Sequence, residues 1–105
     1  MLHIYTTMIE AMRMLRPVLV AIERHGADLG RQLRRAASSL ALNLSEGSGS
    51  RGGTRRERYK NALASARETG ACLDVALAFG YIEEVKARVL DALDHVRGTL
   101  AKNVV

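Results

Sequence analysis

Apolar residues recur at steps of three and four in four successive segments, which is the period of one face of an α-helix. The first segment, residues 4–22, keeps its phase across Pro17, so a kink or a locally broken turn is expected there. The other three span residues 29–44, 59–77 and 82–100. No alternation of period two competes with this pattern. It predicts an all-α protein, folded as an antiparallel up-down-up-down four-helix bundle.

Glycines and polar residues indicate where the helices begin and end. Glycine-containing turns separate the four segments, at Gly26, within residues 47–53 and at Gly80. Asp28 is expected to be the N-cap of the second helix. Thr54 and Glu57 form a T-x-x-E capping box, which predicts that the third helix opens at Thr54.

The composition agrees with a small helical protein. Residues 1–105 are expected to form a single domain, with 48% hydrophobic residues but only 4% aromatic residues and no tryptophan. Cys72 is the only cysteine, which allows neither an intrachain disulfide nor a cysteine zinc site. We read no signal peptide and no stretch long enough to cross a membrane, so a cytoplasmic protein without membrane contact is expected.

The positive charge is concentrated in one part of the chain. Residues 31–60 hold eight basic residues and two acidic ones, a formal charge of +6, whereas the remaining residues sum to −1. A local excess of this size is typical of a surface that binds a polyanion. Together with the glycine-rich turn and a helix N-terminus, it predicts a phosphate-binding corner between the second and third helices. The candidate nucleic-acid-binding residues are Arg31, Arg34, Arg35, Arg51, Arg55, Arg56, Arg58 and Lys60. The alternative is a solvated face that keeps the bundle soluble.

Two further patterns indicate contacts beyond a simple core. A polar edge follows the second helix at steps of three and four, formed by Gln32, Arg35, Ser39, Asn43 and Glu46. Such an edge can bond to a neighbouring helix, fix an oligomer interface or hold a ligand, and the sequence does not choose among these roles. On the first helix, Tyr5, Ile9 and Val20 lie off the main apolar stripe and indicate a second apolar contact with another subunit.

Catalytic and cofactor motifs are not found. His3, His25 and His95 fall on different segments and have no metal-ligand spacing. Residues 47–52 match G-x-G-x-x-G, but a helix precedes them where a dinucleotide site needs a strand. Gly53 stands where a phosphate-binding loop would need its lysine. We therefore expect no enzyme activity, no metal and no cofactor.

One run of residues resembles a known family. Residues 32–47, QLRRAASSLALNLSEG, are similar to the signature of the four-helix proteins of the 23S rRNA-intervening-sequence family. A second block is similar as well, and consists of Tyr59, Ala64, Ser65, Glu68, Leu73, Ala76 and residues 80–82. The resemblance assigns structural or assembly roles to Gln32, Arg35, Asn43, Glu46 and Ser65.

The resemblance implies a bacterial protein that assembles as a homopentamer. It also implies a relation to an accessory protein of diversity-generating retroelements, which binds nucleic acid and a reverse transcriptase. Two functions follow as hypotheses. The first is an oligomer that binds RNA or DNA through phosphate contacts, with little sequence preference. The second is a homo-oligomeric scaffold that contacts a protein partner and has no affinity for nucleic acid.

Overall fold

The computed structural model describes residues 2–104, and within that range helices are the only regular secondary structure. The four helices are α1 (Leu2–His25), α2 (Ala27–Ser48), α3 (Gly52–Ala78) and α4 (Ala87–Asn103). The connections between them are one, three and eight residues long. The predicted all-α class and the number of helices are confirmed.

The helices form a ring around one apolar core. Each helix packs against its neighbours in the chain, and α4 returns to pack against α1. Side-chain pairs cross from α2 to α3 in opposite order along the two helices: Arg35–Glu68, Ser39–Ser65 and Glu46–Arg58. This order shows that α2 and α3 run antiparallel. The largest fully buried side chains include Met8, Ile22, Leu40, Leu73 and Leu100, so all four helices contribute to the core.

The first helix is continuous where a broken turn was expected. Pro17 lies inside α1, and helical structure extends on both sides of it. The proline side chain is exposed, so the carbonyl that loses its helical partner lies on the solvent side of the helix.

The predicted helix caps are wrong. α2 begins at Ala27 after Gly26, so Asp28 lies in its first turn and forms an ion pair with Arg31. α3 begins at Gly52, ahead of Thr54, and its N-cap residue Arg51 makes no side-chain capping bond. The error arises because most of the glycines that suggested a long turn lie within the helices. Only residues 49–51 separate the two helices.

The end of α3 is as expected, but the start of α4 is not. Gly80 has a φ of 73°, and the amides of Gly80 and Tyr81 donate to the carbonyls of Leu77 and Ala76. This is the Schellman arrangement that ends a helix at a glycine. α4 then begins only at Ala87. Ile82 was assigned to the fourth helix because it is apolar, and it is buried although it lies in the connection.

Candidate nucleic-acid interface

The connection between α2 and α3 places its charged residues at one end of the bundle. Gly47, in the last turn of α2, lies against the ring of Tyr59 on α3. The amides of Gly49 and Ser50 donate to the carbonyls of Ser45 and Gly47, which closes α2. The chain then reverses at Gly52, whose φ of 56° is unfavourable for any residue with a side chain. The two helices are thus held close together where the turn begins.

Five cations lie at this turn and on the first turns of α3 that follow it, and we call them the basic corner: Arg51, Arg55, Arg56, Arg58 and Lys60. All five side chains are exposed. Arg58 forms an ion pair with Glu46 at 2.9 Å, and the Nε of Arg55 donates to the carbonyl of Gly47 at 3.2 Å. Among the described residues, no carboxylate lies within ion-pair distance of Arg51, Arg56 or Lys60. With Glu46 and Glu57 included, the corner has a formal charge of +3.

The start of α3 adds to the positive potential of the corner. The first backbone N–H groups of a helix lack helical partners, and they carry the positive end of the helix dipole. The side chain of Arg51, the N-cap residue, accepts no hydrogen bond from these N–H groups. Apart from the adjacent backbone, no atom of the described residues lies within 4 Å of the position that a Cβ at Gly52 or Gly53 would occupy. A phosphate oxygen can therefore approach this backbone closely.

The three predicted arginines on α2 lie elsewhere. From Arg35 to the end of α2 at Ser48 there are thirteen residues, about 20 Å at the helical rise. Arg31 pairs with Asp28, and Arg34 and Arg35 pair with Glu23 and Glu68, both at 2.9 Å. The eight candidate residues therefore do not form one patch.

The charge count over residues 31–60, the basic window, does not reveal this pairing because the carboxylates lie outside it. Glu23 precedes residue 31 and Glu68 follows residue 60, and Asp28 also falls just before the window. A charge count over consecutive residues cannot include a carboxylate on a neighbouring helix. Glu68 could have been found as a partner only by assuming the antiparallel pairing of α2 and α3.

The polar edge of α2 contacts α3 within the same chain. The hydroxyl of Ser65 donates to Ser39 Oγ at 2.9 Å, and Asn43 Nδ2 donates to Ser39 Oγ at 3.2 Å. Asn43 Nδ2 also reaches the Ser39 carbonyl at 2.9 Å. The ion pairs of Arg35 and Glu46 lie on either side of this cluster. Gln32 is exposed and has no hydrogen bond among the described residues.

Cys72 lies beside the same edge and is buried. Burial raises the pKa of its thiol, the nearby Glu68 carboxylate raises it further, and Arg35 opposes this in part. A thiol held in its neutral form is a weak nucleophile. Among the described residues, no group of three or more histidine, cysteine or carboxylate side chains is placed to hold a metal ion.

A second surface feature lies between α1 and α2. This α1/α2 groove has a volume of about 350 Å³ and an apolar floor that includes Ile9, Met12, Leu15, Leu19 and Leu33. Arg13 and Arg16 of α1 and Arg34 of α2 also line it. Ile9, which was predicted to make a second apolar contact, therefore lines a groove that the described part of the chain leaves open.

The family model described as 23S rRNA-intervening sequence protein matches residues 6–102, from the first turns of α1 almost to the end of α4. The chain belongs to this family.

The match to the 23S rRNA-intervening sequence protein family thus covers parts of all four helices. The run of residues 32–47 that carried the resemblance lies on α2, where it includes buried Leu33, Leu40 and Leu44 and the close approach of Gly47 to Tyr59.

No curated protein and no solved structure matches the chain. No helix within residues 2–104 has both the length and the apolar character needed to span a membrane.

Proposed function

We propose that this protein is a non-enzymatic, oligomeric nucleic-acid-binding protein that holds phosphates at the basic corner. The observation that carries the proposal is the arrangement of Arg51, Arg56 and Lys60. These cations have no ion pair among the described residues. Arg51 and Arg56 lie at the uncapped, glycine-lined start of α3, and Lys60 follows Arg56 by about one helical turn. Arginine forks and free backbone N–H groups both favour phosphate oxygens.

The expected mode of binding is contact with the phosphate backbone. Tyr59 is the aromatic residue nearest the corner in the chain, and it is only 2% exposed, so it cannot stack on a base. Phosphate contacts position a nucleic acid but do not read its sequence. We therefore expect similar affinity for unrelated sequences, in duplex DNA and in structured RNA.

Oligomerisation would make such contacts effective. Three unpaired cations give weak, salt-sensitive binding on their own, because each neutralised phosphate contributes only through counterion release. Repeating the corner in each subunit of a ring lets one polymer contact several copies, so that affinity rises by avidity. The homopentamer that the family resemblance implies would supply five corners.

Fluorescence anisotropy with a labelled duplex and a labelled RNA hairpin tests this proposal. The corner variant carries Arg51→Gln, Arg56→Gln and Lys60→Gln. A matched control carries Arg24→Gln, Arg67→Gln and Lys102→Gln, which removes the same charge from exposed positions outside the corner. We expect the corner variant to bind at least about tenfold more weakly than the control at one salt concentration. Equal affinities would show that the net charge matters and the corner does not.

The α1/α2 groove favours a second candidate, a homo-oligomeric scaffold without affinity for nucleic acid. Its apolar floor is the kind of surface that a subunit or a protein partner covers. In this case the basic corner would serve solubility. The scaffold predicts assembly of the purified protein together with no binding in the anisotropy experiment, even at low salt.

A further inference from the structure

The α1/α2 groove has a chemical character that restricts what can cover it. The floor is apolar, whereas the charged side chains that line it are all arginines: Arg13, Arg16 and Arg34. Arg13 and Arg34 pair with Glu10 and Glu23, and Arg16 has no carboxylate within ion-pair distance among the described residues. An occupant that fits this groove presents apolar side chains and a carboxylate that can pair with Arg16.

One segment of the same chain carries exposed side chains of both kinds. Residues 74–94 hold five acidic and two basic residues, a formal charge of −3. Asp94 pairs with Arg97, and the other four carboxylates have no ion pair among the described residues. This segment also carries four of the six large hydrophobic residues that are exposed in the described part of the chain: Val75, Leu77, Phe79 and Leu90. Phe79 is 70% exposed and stacks on Tyr81, so its ring is held in place at the surface. We call this region the acidic end.

We propose that the α1/α2 groove is covered by the acidic end of a second copy of this chain. The proposal rests on the oligomer included in the proposed function and identifies the surfaces that meet. Two different surfaces are joined, so the interface is heterologous, and repetition closes a ring if the rotation between subunits allows it. The apolar side chains supply contact area, and the opposite charges fix which surface pairs with which.

The pairing leaves the basic corner free. Residues 51–60 belong to neither surface, and the corner lies at the opposite end of α3 from Phe79, which follows directly after that 27-residue helix. Rotation about a single axis places every corner on the same side of a closed ring. Subunit contact and phosphate contact can therefore be tested separately.

Charge reversal at the two surfaces, followed by sedimentation velocity, tests the pairing. The groove variant carries Arg13→Glu and Arg16→Glu, and the acidic-end variant carries Glu83→Lys and Glu84→Lys. The combined variant carries all four changes. A control carries Arg56→Glu and Lys60→Glu. It changes the charge of the basic corner by as much as the groove variant changes the charge of the groove. All the substituted residues are exposed, and circular dichroism checks that every variant stays helical.

We expect the wild type and the control to sediment as oligomers. Each single-surface variant should dissociate at least about tenfold more readily, toward the 11.5 kDa monomer, and the combined variant should recover because its charges are again complementary. Phe79→Ser should also weaken assembly. If the wild type is an oligomer that none of these changes affects, the pairing is wrong and the oligomer stands. If the wild type is a monomer, the oligomer and the pairing are both wrong, whereas nucleic-acid binding is decided by the anisotropy experiment.

Discussion

Replacing Gly47 by alanine should destabilise the protein, although alanine is the better helix former. Gly47 lies within α2, where the intrinsic gain of alanine over glycine is about 1 kcal/mol. The added Cβ would lie 2.6 Å from Cδ1 of Tyr59 and nearer still to Cε1 of the same ring. Real Cβ atoms essentially never approach other atoms so closely, and the buried ring has little room to turn away.

The expected size follows from these two opposing effects. Overpacking a core typically costs about 1–3 kcal/mol, and the overlap at Tyr59 places this site toward the upper end. After the helix-forming gain of alanine is subtracted, a net loss of about 1–2 kcal/mol remains. Since 1 kcal/mol shifts the Tm of a domain of this size by about 4–8 °C, the Tm should fall by about 4–16 °C.

Two comparisons isolate the cause. Gly98→Ala makes the same change within α4, where nothing lies within 4 Å of the added Cβ, so its Tm should rise by about 4–8 °C. Adding Gly47→Ala to a Tyr59→Leu variant should cause little further loss, because the ring is then absent. Thermal unfolding followed by circular dichroism measures these four variants and the wild type. A rise in Tm for Gly47→Ala, equal to that for Gly98→Ala, would refute the packing argument.

Two smaller effects concern the α2–α3 contact. Ser39→Ala removes the hydroxyl that accepts from both Ser65 and Asn43, so it should destabilise by about 0.5–1.5 kcal/mol more than Ser45→Ala at an exposed position of the same helix. Equal losses of unfolding free energy for the two variants, measured by urea unfolding, would show that the hydrogen bonds to Ser39 do not contribute to stability. Burial and Glu68 hold the pKa of Cys72 above its ordinary value of 9.0, so the unfolded chain releases this proton first and rising pH favours unfolding. The free energy of unfolding should therefore fall less steeply above about pH 9 in Cys72→Ala than in the wild type, and parallel curves would contradict this.

The helices were predictable because each buries one face against the same core. In α2, the three- and four-residue steps of Leu33, Ala37, Leu40 and Leu44 correspond directly to the buried side of the helix. The helix ends were less predictable, because they depend on contacts with other helices. Gly47 suggests a turn when only local preference is considered, yet it lies within α2, where the ring of Tyr59 leaves room for glycine but not for a side chain.

The candidate site was predictable only in part. Arg51, Arg55 and Arg56 are close in the chain and stay close in the fold. Arg31, Arg34 and Arg35 were grouped with them by sequence distance, but the length of α2 separates them and carboxylates on three helices pair with them. The groove between α1 and α2 could not be derived from one stripe, because its floor is made by two helices.

Binding of nucleic acid at the basic corner is the central claim, and its salt dependence tests it most directly. The association constant for a labelled duplex is measured by anisotropy from 50 to 200 mM salt, for the wild type and for the variant with Arg51→Gln, Arg56→Gln and Lys60→Gln. Each phosphate contact contributes a slope of about −0.9 on a log–log plot, so the variant's slope should be shallower by about 2.7 per contacting subunit. An unchanged slope, or a wild type that does not bind at the lowest salt, would contradict the account.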